Sequence, residues 1–116
     1  MTNFSEFLYL DIAPVNVNEV MDYLEAKGRG EPKGELRAQA LVYVTIAGGH
    51  HRTGDAVTTE WITQTLRWSR TRTAAATAAL VKKGLAVRER RKDDAGWRYA
   101  YWPLQKRPLP RRPSDP

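Results

Sequence analysis

The sequence predicts a mainly α-helical domain that ends in a small β-hairpin. Apolar residues recur at helical spacing over much of the chain, and residues that cap helices precede the predicted helices. Near residue 94, a turn rich in Asp and Gly separates two alternating segments. The chain has 116 residues and no cysteine, so it fits one such domain without a disulfide framework or a thiolate metal site.

Residues 1–30 form an N-terminal extension, for which we expect a role in dimerisation. Residues 1–15 are apolar and aromatic, and they fit either an edge strand or a short helix. Asn16 and Glu19 have the spacing of a capping box at the start of a helix that ends near residue 28. The positions with helical apolar spacing are Val17, Val20, Met21 and Leu24.

A second helix is predicted for residues 33–47, after a loop at residues 28–32. Its apolar residues lie nearly all round the helix, which indicates a buried central helix. They include Leu41, Val42, Tyr43, Val44 and Ile46. Gly48-Gly49 ends this helix, and a long polar loop follows, up to a short strand at residues 56–57.

Thr58 caps a third helix, which runs to Trp68 and has Glu60 in its first turn, where the helix dipole favours an acid. Its inner face is formed by Trp61, Ile62, Thr65 and Leu66. Ser69 caps a fourth helix, residues 70–83, which Gly84 ends.

A hairpin follows the fourth helix. Residues 85–90 alternate loosely as a strand, residues 92–96 have turn chemistry, and aromatic residues alternate along the returning strand. These aromatic residues are Trp97, Tyr99 and Tyr101. Residues 105–116 are rich in proline and basic residues. We expect them to be a disordered basic tail, although residues 107–113 also match a polyproline ligand pattern.

The charge of the chain is unevenly distributed. Residues 1–65 carry 5 Lys or Arg against 9 Asp or Glu, whereas residues 66–116 carry 14 against 4. This asymmetry favours a polyanionic partner for the second half, with a solvated basic surface as the alternative. No apolar stretch is long enough to cross a membrane and no signal peptide is recognisable, so we expect a cytoplasmic protein without a membrane partner.

Residues 58–104 resemble the winged helix-turn-helix module of bacterial MarR-type regulators, and in full the resemblance covers about residues 36–104. The resemblance rests on an apolar helix, a second helix opened by Ser69, the stop Lys83-Gly84-Leu85 and a basic hairpin. It implies a winged helix-turn-helix domain at residues 33–104 that binds double-stranded DNA as a homodimer and regulates transcription. The long predicted loop is also similar to that of plasmid and phage replication proteins. A replication or partition accessory protein is therefore one alternative, and a protein-interaction module is another.

The expected DNA contacts lie at the start of the fourth helix and in the wing. Cations in the first turn of a helix are disfavoured by up to about 1 kcal/mol each, and a bound phosphate would offset this. The alternative is that Arg70 and Arg72 simply point into water. The expected contacts are Ser69, Arg70, Thr71, Arg72, Thr73 and Ala75 in the helix, and Arg88, Arg90, Arg91, Lys92 and Arg98 in the wing. Alanine offers only methyl contacts to bases, so we expect modest base discrimination.

We expect the tryptophans to pack in the core and the hairpin, although exposed rings at Trp97 and Tyr99 would allow stacking on single strands. We expect no enzymatic activity, metal or cofactor. His50-His51 with Asp55 is the one cluster that suggests a metal, and adjacent histidines on a loop rarely bind one ion together. The sequence has no Gly-rich phosphate loop and no nucleophile with its base.

Overall fold

The computed structural model describes residues 17–27 and 30–104. Within these residues the protein is mainly helical with a small three-stranded antiparallel sheet, which confirms the predicted composition of the fold. The helices are α1 (Val17–Lys27), α2 (Lys33–Thr53), α3 (Thr59–Leu66) and α4 (Arg70–Lys82), and the strands are β1 (Val57–Thr58), β2 (Ala86–Asp93) and β3 (Gly96–Pro103). The predictions for residues 1–16 and for the tail at residues 105–116 lie outside this part of the chain. None of the helices described is long and apolar enough to span a membrane.

The three strands form a sheet in the order β1-β3-β2. Strand β3 pairs with β2 from Pro103 opposite Ala86 to Gly96 opposite Asp93, and with β1 at Tyr101 opposite Val57. At the hairpin tip the Ala95 amide donates to Oδ1 of Asp93 over 2.8 Å. The predicted hairpin and the predicted short strand beside it are therefore both present.

Helix α2 lies at the centre of the core and contacts every other helix, together with β1 and β3. Its residues Tyr43 and Ile46 are fully buried, among side chains from the elements around it. These include Val20, Leu24, Ile62, Leu80, Leu85 and Tyr101. Because Val20 and Leu24 belong to α1, part of the N-terminal extension is packed into the core of its own chain.

Helix α2 does not end at Gly48-Gly49, as the sequence predicted, but continues to Thr53. Gly49 is buried, and a Cβ atom there would lie 2.8 Å from Cγ2 of Val57 and 3.1 Å from Cζ3 of Trp61. The glycine therefore allows close packing within the helix. The helix ends at Gly54, which adopts a left-handed conformation (φ 75°) and donates its amide to His50 O over 2.7 Å. The long polar loop of the sequence prediction is thus mostly helix.

The predicted caps of α3 and α4 are both formed. Thr58 Oγ1 accepts the Trp61 amide over 3.2 Å, and Ser69 Oγ accepts the Arg72 amide over 3.1 Å. Helix α3 ends at Leu66, earlier than predicted, because Arg67 adopts a left-handed conformation with φ 56°. On its inner face Ile62 is buried, whereas Thr65, which the sequence placed there, is exposed.

Candidate nucleic-acid interface

The first turn of α4 exposes several polar side chains. Residues 70–72 and Ala75 are exposed, and Ser69 beside them is exposed as the N-cap. The Arg72 guanidinium carbon lies 4.0 Å from the ring centroid of Trp68, which holds this side chain against the linker before the helix. The side chain of Arg70 is 79% exposed. The structure therefore presents two arginines at the positive end of a helix dipole.

Thr73 does not belong to this surface, in contrast to the sequence prediction. Its side chain is 0% exposed, and its hydroxyl donates to Ser69 O over 3.1 Å. The same hydroxyl accepts from Thr63 Oγ1 over 3.2 Å. Thr73 thus joins α4 to α3 and is out of reach of a ligand on the surface.

Strand pairing divides the predicted wing cations into two sets. Residues with even numbers on β2 share a face with residues with odd numbers on β3, since Arg90 lies opposite Tyr99 and Lys92 opposite Trp97. We call this surface the exposed hairpin face. It consists of Arg88, Arg90, Lys92, Trp97 and Tyr99. Arg91 and Arg98 lie on the opposite face.

The exposed hairpin face carries stacked pairs of cations and aromatic rings. The guanidinium carbons of Arg88 and Arg90 each lie 4.5 Å from a ring centroid, that of Tyr99 and that of Trp97 respectively. Trp97 is 59% exposed and Tyr99 is 43% exposed, so Trp97 packs within the hairpin but not in the core. Within the described part of the chain, no carboxylate forms an ion pair with the cations of this face.

On the opposite face the cations are neutralised. Arg91 donates to both carboxylate oxygens of Asp55, over 2.8 and 3.2 Å, and it also pairs with Glu89. The hydrogen bond from Arg91 holds the pKa of Asp55 below its ordinary value, and Asp55 in turn raises the pKa of Arg91. Arg98 pairs with Asp93. These two arginines are therefore less available to a polyanion than the sequence suggested.

Glu60 lies between the start of α4 and the neutralised face of the hairpin. One of its carboxylate oxygens lies 3.3 Å from Nη2 of Arg70, and the other lies 3.6 Å from Nη1 of Arg98. The start of α4 and the hairpin are thus adjacent to one carboxylate. The sequence identified Glu60 as a first-turn acid, but its two partners are remote in sequence and gave no local signal.

A groove of about 550 Å³ lies between the start of α2 and the outer side of α4. It is lined by Glu31, Gly34, Glu35, Ala38, Gln39, Arg72, Ala75, Ala76 and Ala79. Two of these residues are acids, and both lie on the α2 side. An anionic ligand is therefore favoured at the first turn of α4 rather than along its alanines.

The cluster at His50 is held by interactions within the protein. His50 is buried, with Nδ1 3.0 Å from the Asp55 carbonyl oxygen and its ring 5.3 Å from that of Trp102. The Asp55 carboxylate is bound to Arg91. In residues 17–27 and 30–104, no three His, Cys, Asp or Glu side chains are placed to hold a metal ion.

Comparisons with known proteins identify no relative of the chain. No family model, no curated protein and no solved structure matches it. The resemblance of residues 58–104 to winged helix-turn-helix regulators therefore stays a prediction. A functional assignment depends on the geometry of α4 and the hairpin.

Proposed function

We propose that this chain is a winged helix-turn-helix protein that binds double-stranded DNA through the start of α4 and the cations of the exposed hairpin face. The separation of charge in the hairpin carries this proposal. Arg88, Arg90 and Lys92 lie on a face without an acid, while the acids of β2 lie on the other face with Arg91 and Arg98. Folding alone does not require this separation, whereas a phosphate backbone favours it.

The order of the elements supports the proposed architecture. Helices α3 and α4 are joined by residues 67–69, a link of the length found in helix-turn-helix motifs. The hairpin follows α4 directly, and β1, between α2 and α3, completes its sheet. In this architecture the second helix of the motif enters the major groove with its N-terminal residues at the bases, and the hairpin lies along the backbone.

The proposed contacts follow from these positions. Backbone amides and the helix dipole at the start of α4 favour a phosphate, with Arg72 held beside them by Trp68. Arg70 and Thr71 are exposed and reach base edges, and Ala75 offers a methyl group to thymine. Arg88, Arg90 and Lys92 contact phosphates. This set predicts strong dependence on salt and modest base specificity.

We infer a role in transcription regulation from the resemblance of residues 58–104 to MarR-type regulators. The replication alternative depended on a long loop before α3, and α2 occupies most of that segment. We also propose a homodimer that pairs through residues 1–30. Val20 and Leu24 are buried within their own chain, so pairing must use other residues of this segment. A monomeric mass at micromolar concentration would contradict the dimer.

The test of DNA binding is a salt titration with the double variant Arg70→Ala/Arg72→Ala on a duplex selected from random sequences. We expect the variant to bind at least about tenfold more weakly, with a salt slope smaller by about 0.9, because the phosphate contact of Arg72 is lost together with the base contact of Arg70. Lys33→Ala/Arg37→Ala is the matched control, since it removes two exposed cations at the start of α2. Equal slopes for the two double variants would overturn the proposed site.

A further inference from the structure

We propose that the exposed hairpin face also binds unpaired nucleobases, so that the protein prefers DNA in which a duplex meets a single strand. The proposal rests on the duplex binding proposed above and adds a ligand class to it. The ligand is one or two bases released from a duplex, with the phosphates that flank them.

The first observation is exposure. Trp97 and Tyr99 are the large hydrophobic side chains that the described part of the chain leaves exposed, at 59% and 43%. The other tryptophans there are half-buried. An exposed indole beside an exposed phenol, on a strand without an acid on the same face, offers stacking surface to a ligand that is flat and negatively charged.

The second observation is a repeated pair. Arg88 lies opposite Tyr101 in the strand register, but its guanidinium stacks on Tyr99, two residues nearer the tip. Arg90 repeats this offset, since it lies opposite Tyr99 and stacks on Trp97. Two residues of an antiparallel strand advance by about 6.8 Å, so the Arg–aromatic pairs recur at that interval. Each pair supplies a ring for a base and a guanidinium for a phosphate.

The interval between the pairs favours unpaired bases over a duplex. Neighbouring nucleotides of one strand of a duplex are about 3.4 Å apart along the axis, half of the interval between the rings. Inside a duplex the faces of the bases are covered by their neighbours, so an aromatic side chain stacks only on a base that has left the stack. A DNA strand that contacts both Arg–aromatic pairs must therefore have unstacked bases at that point. Such bases are found in the single strand beyond the end of a duplex.

The competing explanation is that the stacked pairs only stabilise the hairpin. In that case the rings stabilise the hairpin whether or not DNA is present. Replacing Trp97 would then leave the ratio of the affinities for overhang DNA and blunt duplex unchanged. A comparison of two variants at this position separates the explanations. Trp97→Phe keeps a flat ring, whereas Trp97→Leu keeps only apolar volume.

The experiment measures fluorescence anisotropy of the full chain with a blunt duplex and with the same duplex carrying a single-stranded overhang. The overhang contains 2-aminopurine, whose emission is quenched when the base stacks. We expect the wild-type protein to bind the overhang DNA about tenfold more tightly than the blunt duplex and to quench the probe, since one stacked base contributes about this factor or more. Trp97→Leu reduces the preference to near one and abolishes quenching, and Trp97→Phe retains most of both.

Circular dichroism verifies that both variants are folded. Equal affinity of the wild-type protein for the two DNA forms would overturn the proposal, as would equal losses for the Phe and Leu variants. The proposed duplex binding is tested separately, by the salt titration of wild type and Arg70→Ala/Arg72→Ala. If neither duplex nor overhang is bound, both proposals fail. If only the overhang is bound, the proposed duplex function fails and the stacking site stands.

Discussion

The ammonium group of Lys83 lies 2.7 Å from Oε1 of Glu31, so the residue that follows α4 is bound to the loop before α2. Gln39 completes the network: its carbonyl accepts from Lys83 over 2.6 Å, and its amide donates to Glu31 Oε2 over 2.9 Å. Only 12% of the Lys83 side chain is exposed. The network positions the proposed recognition helix against the central helix of the core.

Replacing Lys83 by Met is expected to lower the free energy of unfolding by about 1–2 kcal/mol, because Glu31 and Gln39 lose a partly buried charged partner. Urea unfolding followed by circular dichroism measures the change. Lys82→Met is the control, since Lys82 is exposed in the last turn of α4 and its replacement changes stability by about 0.5 kcal/mol or less. Equal effects at the two positions would contradict a role for the network.

The same network predicts a dependence on acid. Hydrogen bonds from Lys83 and Gln39 hold the pKa of Glu31 below its ordinary value of 4.5. A carboxyl whose pKa is lower in the folded state stabilises the fold above the unfolded pKa, and this contribution is lost as the pH falls through the folded pKa. Glu31→Gln is therefore expected to flatten the loss of stability below pH 4.5. Urea midpoints at a series of pH values test this, and parallel curves for wild type and variant would refute it.

The adjacent residues Gly48 and Gly49 of α2 predict opposite effects of alanine. At Gly49 a Cβ atom would meet Val57 at 2.8 Å, so Gly49→Ala is expected to destabilise the fold by about 1–3 kcal/mol through overpacking. At Gly48 nothing beyond its chain neighbours and the helix backbone lies within 4 Å of that position, so Gly48→Ala is expected to stabilise the helix by up to about 1 kcal/mol. Thermal unfolding of the two variants measures the difference. A stabilised Gly49→Ala would show that α2 does not pack closely on Val57.

These glycines also show which parts of the fold the sequence predicts. The sequence predicts the helix caps at Thr58 and Ser69 and the end of α4 at Gly84. Each of these features depends only on residues a few positions apart in the chain, so local sequence rules are sufficient. Gly49 is different, because its role depends on Val57 and Trp61, which reach it only in the folded chain. Local rules favour a helix end at a glycine pair, and tertiary packing overrides them.

In the candidate site, too, some features follow from the sequence and others depend on contacts in the folded chain. Strand alternation is readable from the sequence and separates Arg90 from Arg91. The same alternation places Glu89 and Asp93 on the face of Arg91. Asp55 and Glu60, which add to the neutralisation of this face, come from segments before the hairpin and give no such signal. Burial of Thr73 likewise depends on Thr63 of the neighbouring helix. The sequence therefore locates the cations, whereas the structure shows which of them are free to bind.

If the start of α4 binds DNA as proposed, Glu60 competes with DNA for Arg70, so Glu60→Gln is expected to strengthen duplex binding. Removal of a charge about 4 Å from a bound cation changes the interaction by about 1 kcal/mol in water, which is about a fivefold gain in affinity at low salt. Screening reduces this gain as salt is added. Anisotropy titrations at two salt concentrations measure both effects.

Glu25→Gln supplies the control, because it removes the same charge from the exposed side of α1. A gain of equal size for this variant would mean that only net charge matters. Combining Glu60→Gln with Arg70→Ala completes a double-mutant cycle, in which the gain shrinks if Glu60 acts through Arg70. The first-turn acid also interacts favourably with the dipole of α3, so Glu60→Gln loses up to about 1 kcal/mol of stability. Opposite changes in stability and DNA affinity are therefore expected from one substitution, and a gain in both would contradict the position assigned to Glu60.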